Sequence, residues 1–104
     1  MNQNNSIQEM QIIEQNLQNI LIQKQAFQME FSETQNSLKE IKESKDDVYK
    51  IVGQLMIKTK KEKIVDELTN KEKLINMRIK SFDNQEANLS EQLAKLREKI
   101  LKKN

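Results

Sequence analysis

The sequence predicts a fold that is all-α dominated, an antiparallel two-helix coiled-coil hairpin with one β-hairpin at the connection between the helices. The composition is the first reason, since 33% of the residues are charged and the chain has only three Phe and one Tyr, which is typical of long helices. The second reason is an apolar repeat on both sides of the chain's centre. The third is a short β-branched passage around Gly53, the one glycine in a chain without proline.

The first predicted helix covers residues 8–43. Apolar residues recur there at alternating spacings of three and four, which is the pattern of a coiled-coil seam. Eight of the ten positions are apolar in the series Met10, Ile13, Leu17, Ile20, Lys24, Phe27, Phe31, Thr34, Leu38 and Ile41.

The second predicted helix covers residues 60–102 and carries the same repeat. Nine of eleven positions are apolar in the series Val65, Leu68, Glu72, Ile75, Ile79, Phe82, Glu86, Leu89, Leu93, Leu96 and Ile100.

The polar exceptions in the two seams predict how the helices pair. In one antiparallel register Thr34 lies opposite Glu72, and the Lys24 amine lies within reach of the Glu86 carboxylate. A buried polar group without a partner costs roughly 1–3 kcal/mol. We therefore expect the polar positions of one seam to meet those of the other.

Between the helices, residues 48–58 alternate and are rich in β-branched side chains, which predicts a β-hairpin. Gly53-Gln54 suits a two-residue type II′ turn, and Thr59 with Glu62 forms a capping-box pattern for the next helix. A two-stranded ribbon leaves two open edges, so we interpret it as an assembly module; an ordinary apolar loop is the alternative. The residues expected to act in assembly are Val48, Tyr49, Ile51, Val52, Gly53, Leu55, Met56 and Ile57.

The same register brings the free ends of the two helices together. Apolar residues at such ends open most easily and can present surface to another protein, although ordinary seam packing is the alternative for several of them. Ile7, Ile12 and Leu101 lie off the seam and are expected to be exposed. We call the candidate binding residues the terminal cluster: Ile7, Met10, Ile12, Ile13, Leu17, Leu89, Leu93, Leu96, Ile100 and Leu101.

Several classes of function lack the residues they need. The chain has no His and no Cys, and it shows no phosphate-binding loop, so the sequence predicts neither an enzyme nor a metal or cofactor site. No apolar run is long enough to span a bilayer. The basic cluster Lys58, Lys60, Lys61 and Lys63 lacks interleaved aromatics, and the net charge is only +2, which argues against nucleic-acid binding.

The segment from residue 46 to 68, "DDVYKIVGQLMIKTKKEKIVDEL", resembles the prefoldin β-subunit family of archaea and its eukaryotic subunit-6 relative. The resemblance covers essentially the whole chain and is most specific at Tyr49–Gly53. It implies a single prefoldin-like domain over residues 1–104, and a hexamer of α-type and β-type subunits whose hairpins form a β-barrel platform. It also implies a cytoplasmic, ATP-independent chaperone that holds unfolded proteins at the helix ends and passes them to a group II chaperonin, without a cofactor.

Two other functions fit the same pattern of residues. The ribbon and the seams alone would also suit a structural coiled-coil scaffold or filament that binds no client protein. A hairpin associated with nucleic acid is the third possibility. Suppression of aggregation without nucleotide would distinguish the chaperone from the scaffold.

Overall fold

The computed structural model describes residues 3–102 and contains two long helices joined by a two-stranded antiparallel sheet. Helix α1 is Gln3–Glu43 and helix α2 is Lys61–Lys102. Strand β1 is Val48–Val52 and strand β2 is Leu55–Thr59. The predicted fold class is confirmed.

Helix α1 begins five residues earlier than the predicted start at residue 8. Its first turns contain Ser6, which is only 2% exposed and lies four residues before Met10, where the seam would continue. The apolar periodicity did not mark this position because the side chain is polar. Packing at Ser6 extends the helix to Gln3.

The seams are the core of the protein. Every position of both predicted series is buried or half-buried, as a coiled-coil interface requires. Full burial of one such aliphatic or aromatic side chain contributes about 1.5–3 kcal/mol. The buried apolar residues are Ile13, Ile20, Leu38, Ile64, Ile75, Phe82 and Leu93.

The chain forms two compact units, each with one stretch from either helix. One unit combines α1 up to Ala26 with α2 from Arg78 onward, and the other is Phe27–Met77. Within the first, the ion pair between Glu14 and Arg97 shows antiparallel packing. The single-domain expectation for residues 1–104 stays a prediction, and its first two and last two residues lie outside the described part.

Thr34 does not pair with Glu72 as the sequence suggested. The residue is only 3% exposed, and its hydroxyl donates to the backbone carbonyl of Glu30 at 2.8 Å. Threonine in a helix commonly bonds the carbonyl four residues earlier. The hydroxyl is therefore not available to donate to Glu72, while the expectation that Thr34 and Glu72 lie opposite each other in the seam stays a prediction. Glu72 is half-buried and lines an open cavity of about 360 Å³ beside Leu38.

The end of α1 is completed by a side chain from α2. The Lys61 amine donates to the carbonyls of Lys42 and Ser44, both at 2.9 Å. The last carbonyls of a helix have no partner inside it, and a cation beside them also compensates the negative end of the helix dipole. Lys61 thus joins the start of α2 to the end of α1.

The ribbon has the predicted two-residue turn. Val48 pairs with Thr59 and Val52 with Leu55, which leaves Gly53 and Gln54 between the strands. Gly53 has a φ of 61°, and no other described residue has a positive φ. A type II′ turn needs a positive φ at its first central residue only, whereas type I′ needs it at both. These angles fit the predicted type II′ turn.

The capping box predicted at Thr59 and Glu62 is wrong, because the N-cap of α2 lies one residue after Thr59. Thr59 belongs to β2 and pairs with Val48, so it is not free to act as the N-cap. Instead, the Lys60 carbonyl accepts the first helical bond, from the Ile64 N–H at 3.4 Å. Lys60 is therefore the N-cap residue of α2.

We expect Thr34→Val to leave the free energy of unfolding unchanged or to raise it by up to about 1 kcal/mol, because an apolar side chain of the same shape replaces a buried hydroxyl. The Glu30 carbonyl keeps its ordinary backbone bond within the helix. Urea unfolding followed by circular dichroism measures the change. Combining it with Glu72→Leu should give the sum of the two single effects, because Thr34 bonds within its own helix, and a coupling above about 1 kcal/mol would show that the two side chains interact.

Candidate functional site

The ribbon, β1 and β2 with their turn, exposes an unusual amount of apolar surface for its length. Ile51 is 71% exposed, the highest value among the large apolar side chains of the ribbon. Monomeric proteins rarely leave such patches uncovered, and larger ones mark sites of interaction. The exposed large apolar side chains of the ribbon are Tyr49, Ile51, Val52, Leu55, Met56 and Ile57.

Both faces of the ribbon carry apolar side chains. Residues paired across two antiparallel strands share a face, so the register assigns each residue to one side. One face carries Val48, Lys50, Val52, Leu55, Ile57 and Thr59, and the other carries Tyr49, Ile51, Met56 and Lys58. The described chain has no third strand beside these two, so both outer edges present unpaired backbone groups.

One ion pair and an apolar cleft place the ribbon against the helices, and a second ion pair joins β2 to the loop before β1. Lys50 pairs with Glu67 at 3.1 Å and Lys58 with Asp47 at 3.4 Å. Such exposed pairs contribute only about 0–1 kcal/mol each, so they orient the ribbon more than they stabilise it. A cleft of about 360 Å³ lies between the ribbon and the helices and is lined by Ser37, Ile41, Tyr49, Lys50, Ile51, Ile64, Glu67 and Leu68.

The basic cluster beside the ribbon has structural partners. Lys58 pairs with Asp47, and Lys61 binds the carbonyls at the end of α1. Two of its four cations therefore hold the connection between the helices. Nothing in this arrangement favours a nucleic-acid site.

The structure divides the terminal cluster into three groups. Ile13 and Leu93 are buried in the seam, which matches the alternative of ordinary packing. Ile7, Ile12 and Leu101 are exposed, as expected, with Leu101 at 73%. The remaining five are half-buried: Met10, Leu17, Leu89, Leu96 and Ile100.

A groove beside the terminal cluster contains residues that the sequence analysis did not single out. It has a volume of about 310 Å³ and is lined by Glu9, Ile12, Ile13, Asn16, Leu89 and Gln92. Three of these belong to the terminal cluster, and the other three are polar. The excess of Asn and Gln in the first third of the chain, fifteen of twenty-three before Ser37, is a sequence signal for Asn16 only, and no signal marked Glu9 or Gln92.

Lys24 forms a charged cluster within the seam of the same unit. Its amine lies 2.6 Å from Asp83 and 3.5 Å from Glu86. The Glu86 contact was predicted from the register, whereas Asp83 was missed because it lies off the seam. The hydrogen bond to Asp83 raises the pKa of Lys24 above its ordinary value of 10.5, and the charges of Asp83 and Glu86 add to this against the opposing effect of burial. Nearby, the Arg78 guanidinium lies 5.9 Å from the centre of the Phe82 ring.

Two kinds of site are absent from the described residues. No group of three or more His, Cys, Asp or Glu residues within 3–102 could hold a metal ion. In the same range, neither helix combines the length and the apolar character needed to cross a membrane.

The family model described as "Prefoldin subunit" matches residues 4–104 of the chain. The chain belongs to the prefoldin family. The prefoldin β subunit of Archaeoglobus fulgidus is 33% identical over 98 residues, covering 92% of this chain and 84% of that protein. The prefoldin β subunit of Thermococcus kodakarensis is 40% identical over 89 residues, covering 84% of this chain and 76% of that protein.

A solved structure of the same family agrees with the fold. The crystal structure of the prefoldin β subunit from Thermococcus strain KS-1 matches with a TM-score of 0.89 and 36% identity, covering 94% of this chain and 88% of that one. The resemblance to prefoldin β inferred from the ribbon and the seams is therefore confirmed. Prefoldin subunits form a family of chaperone subunits rather than of enzymes.

The raised pKa of Lys24 predicts where its ion pairs depend on pH. Because the folded pKa lies above the unfolded one, the stabilisation is fully present below about pH 10.5 and is lost as the pH rises through the folded pKa. The difference in unfolding free energy between the wild type and Lys24→Met should therefore be constant from about pH 7 to 9. Above about pH 10.5 the wild type should lose stability relative to Lys24→Met. Urea unfolding at each pH measures it, and a difference that stayed constant to about pH 11.5 would contradict the assignment.

Proposed function

We propose that this chain is a β-type prefoldin subunit that acts as an ATP-independent holdase, capturing unfolded proteins and delivering them to a group II chaperonin. The observation that carries the proposal is the exposed, two-edged ribbon between the helices of a chain that belongs to the prefoldin family. A scaffold would need the same ribbon. Family membership favours the chaperone.

The ribbon is the proposed assembly surface. A single two-stranded ribbon is at best marginally stable in water, and this one leaves apolar side chains uncovered on both faces. Strands from other subunits would satisfy its edges and cover those side chains. We propose as partners α-type prefoldin subunits and further copies of this chain, in a hexamer, as the β-type relatives suggest.

The terminal cluster is the proposed client site. A holdase must offer apolar surface that remains accessible, and Ile7, Ile12 and Leu101 do so on the two helices of one unit. Half-buried neighbours such as Met10 and Leu96 can add to this surface if the helix ends open. Many weak apolar contacts suit clients that share no sequence.

Delivery to a group II chaperonin and a cytoplasmic location are proposed from the family resemblance alone. Neither is tied to a particular residue of this chain. Binding of the assembled complex to a purified group II chaperonin, measured by surface plasmon resonance, would test the delivery step separately from client capture.

The ribbon can be tested by adding a charge to it. Ile51→Lys should weaken association by at least about a hundredfold, because burying a charged amine costs several kcal/mol. The helices should form as before, since Ile51 is exposed in the single chain. Sedimentation velocity of the chain mixed with an α-type prefoldin subunit measures the mass.

Leu74→Lys is the matched control, because Leu74 is 64% exposed but lies in α2. It should assemble as the wild type does. A variant Ile51→Lys of full oligomeric mass would show that assembly uses another surface.

The client site can be tested without shortening the chain. The triple variant Ile7→Gln, Ile12→Gln and Leu101→Gln removes three exposed apolar side chains from the terminal cluster. About three- to tenfold more of it should be needed to suppress aggregation, because less apolar surface is left for a client to bury. Light scattering of a denatured enzyme diluted into the assembled complex, without nucleotide, measures protection.

A second triple variant, Met29→Gln, Leu74→Gln and Met77→Gln, changes three side chains of similar exposure in the other unit. It should protect as the wild type does. Equal loss of protection in both variants would mean that capture is not confined to the terminal cluster, and no protection by the assembled wild type would favour the scaffold.

A further inference from the structure

The groove beside the terminal cluster combines an apolar floor with a polar rim. Ile13 is buried and Leu89 half-buried at the floor, and Ile12 forms an exposed apolar wall. Glu9, Asn16 and Gln92 line the same groove and are exposed. All six residues belong to the unit formed by the two helix ends.

The rim amides offer the hydrogen-bonding groups that a polypeptide backbone needs. Each Asn or Gln side chain carries one carbonyl acceptor and an NH₂ with two donors, and a backbone peptide unit presents one N–H and one C=O. Asn16 comes from α1 and Gln92 from α2. A segment lying along the groove can therefore meet an amide from each helix.

The size of the groove limits what it can hold. Its volume of about 310 Å³ is at the lower end of the range for small-ligand sites, roughly 300–1,000 Å³. One side chain of an extended segment can be inserted into a space of this volume. The Glu9 carboxylate adds a negative charge at the rim, which favours a cationic residue in the segment.

We propose that this groove binds a short extended segment of a non-native polypeptide. An aliphatic side chain of the segment rests on Ile13 and Leu89, its backbone bonds to Asn16 and Gln92, and a neighbouring Lys or Arg lies near Glu9. This proposal rests on the proposed holdase function. It adds that the groove binds the client's backbone as well as its apolar side chains. An unfolded chain exposes that backbone, and a folded protein has paired it internally.

Recognition of the client's backbone and recognition by apolar contact alone predict opposite effects on client binding when the groove is made more apolar. If clients were held by apolar contact alone, replacing the rim amides with aliphatic side chains of similar size would leave binding unchanged or strengthen it. If the amides bond the client's backbone, the same substitutions weaken binding. The sign of the change therefore decides between the two.

The test uses the full chain with Asn16→Leu, Gln92→Met and both together. The probe is a short fluorescein-labelled peptide of Gly and Ser with one central Leu flanked by Lys, and fluorescence anisotropy gives Kd. We expect Kd to rise about fivefold for each amide removed, the effect of one net hydrogen bond. Gln15→Met and Asn19→Leu are the matched controls, since neither lines the groove, and they should leave Kd unchanged. Unchanged or tighter binding by Asn16→Leu and Gln92→Met would overturn the proposal.

A second measurement keeps the test independent of any effect on folding. A probe methylated on its backbone nitrogens should bind the wild type about fivefold more weakly than the unmethylated probe. It should show little such difference with the double variant. Equal affinity of the wild type for both probes would also overturn the proposal.

Glu9→Gln tests the charge at the rim. The wild type should prefer the Lys-flanked probe over a Glu-flanked probe, and the variant should lose most of that preference. An unchanged preference would remove Glu9 from the site.

If the assembled wild type suppresses aggregation while the groove variants bind peptide normally, this inference fails and the holdase function stands. If the wild type suppresses no aggregation, the function itself fails.

Discussion

The apolar seam is the interaction on which the rest of the structure depends. Helices of 41 and 42 residues contain several Asn residues, which have low helix propensity, and most helical stability in proteins comes from packing rather than from propensity. Packing at every third or fourth position supplies the missing stability. A seam of this kind uses about two positions in seven, so most positions of the described helices lie outside it. The surfaces proposed for assembly and for client binding lie in the connection between the helices and at exposed positions near the helix ends.

The ribbon is held in place by contacts with the rest of the chain as well as by the pairing of its two strands. Its turn is set by Gly53. Lys50 ties the ribbon to α2, and Lys58 and Lys61 bind the loop that follows α1. These contacts explain the local concentration of lysine within one chain. They do not explain the apolar side chains on both faces, because nothing in the described chain covers them. That uncovered surface is the physical reason to expect partner subunits.

Most of the fold could be predicted from the sequence, because the seam positions repeat at a fixed local spacing and the turn needs one particular residue. The misses have a different origin. Thr34 has a suitable carbonyl four residues away in its own helix, so the nearer acceptor takes the hydroxyl that the register assigned to Glu72. Thr59 is taken by pairing across the sheet, which moves the helix cap to Lys60. In both cases a neighbouring backbone group determined which hydrogen bond forms. The pattern of side chains in the sequence contains no information about such backbone groups.

The polar residues of the candidate site were harder to predict, since a pattern of apolar residues says nothing about the rim between them. The distribution of charge nevertheless follows a trend along the chain. Residues 1–36 carry one Lys and four Glu, whereas the remainder carries seventeen Lys and Arg and twelve Asp and Glu. Charged side chains keep exposed aliphatic residues in solution, but they also attract or repel other chains according to the charge of those chains. Neutral amides keep the surface hydrated without that selection, and they can bond any backbone. A surface that must receive many unrelated sequences is better served by amides. Asn16 and Gln92 supply two of them beside Ile12 and Ile13, and Glu9 adds one charge at the rim of the groove.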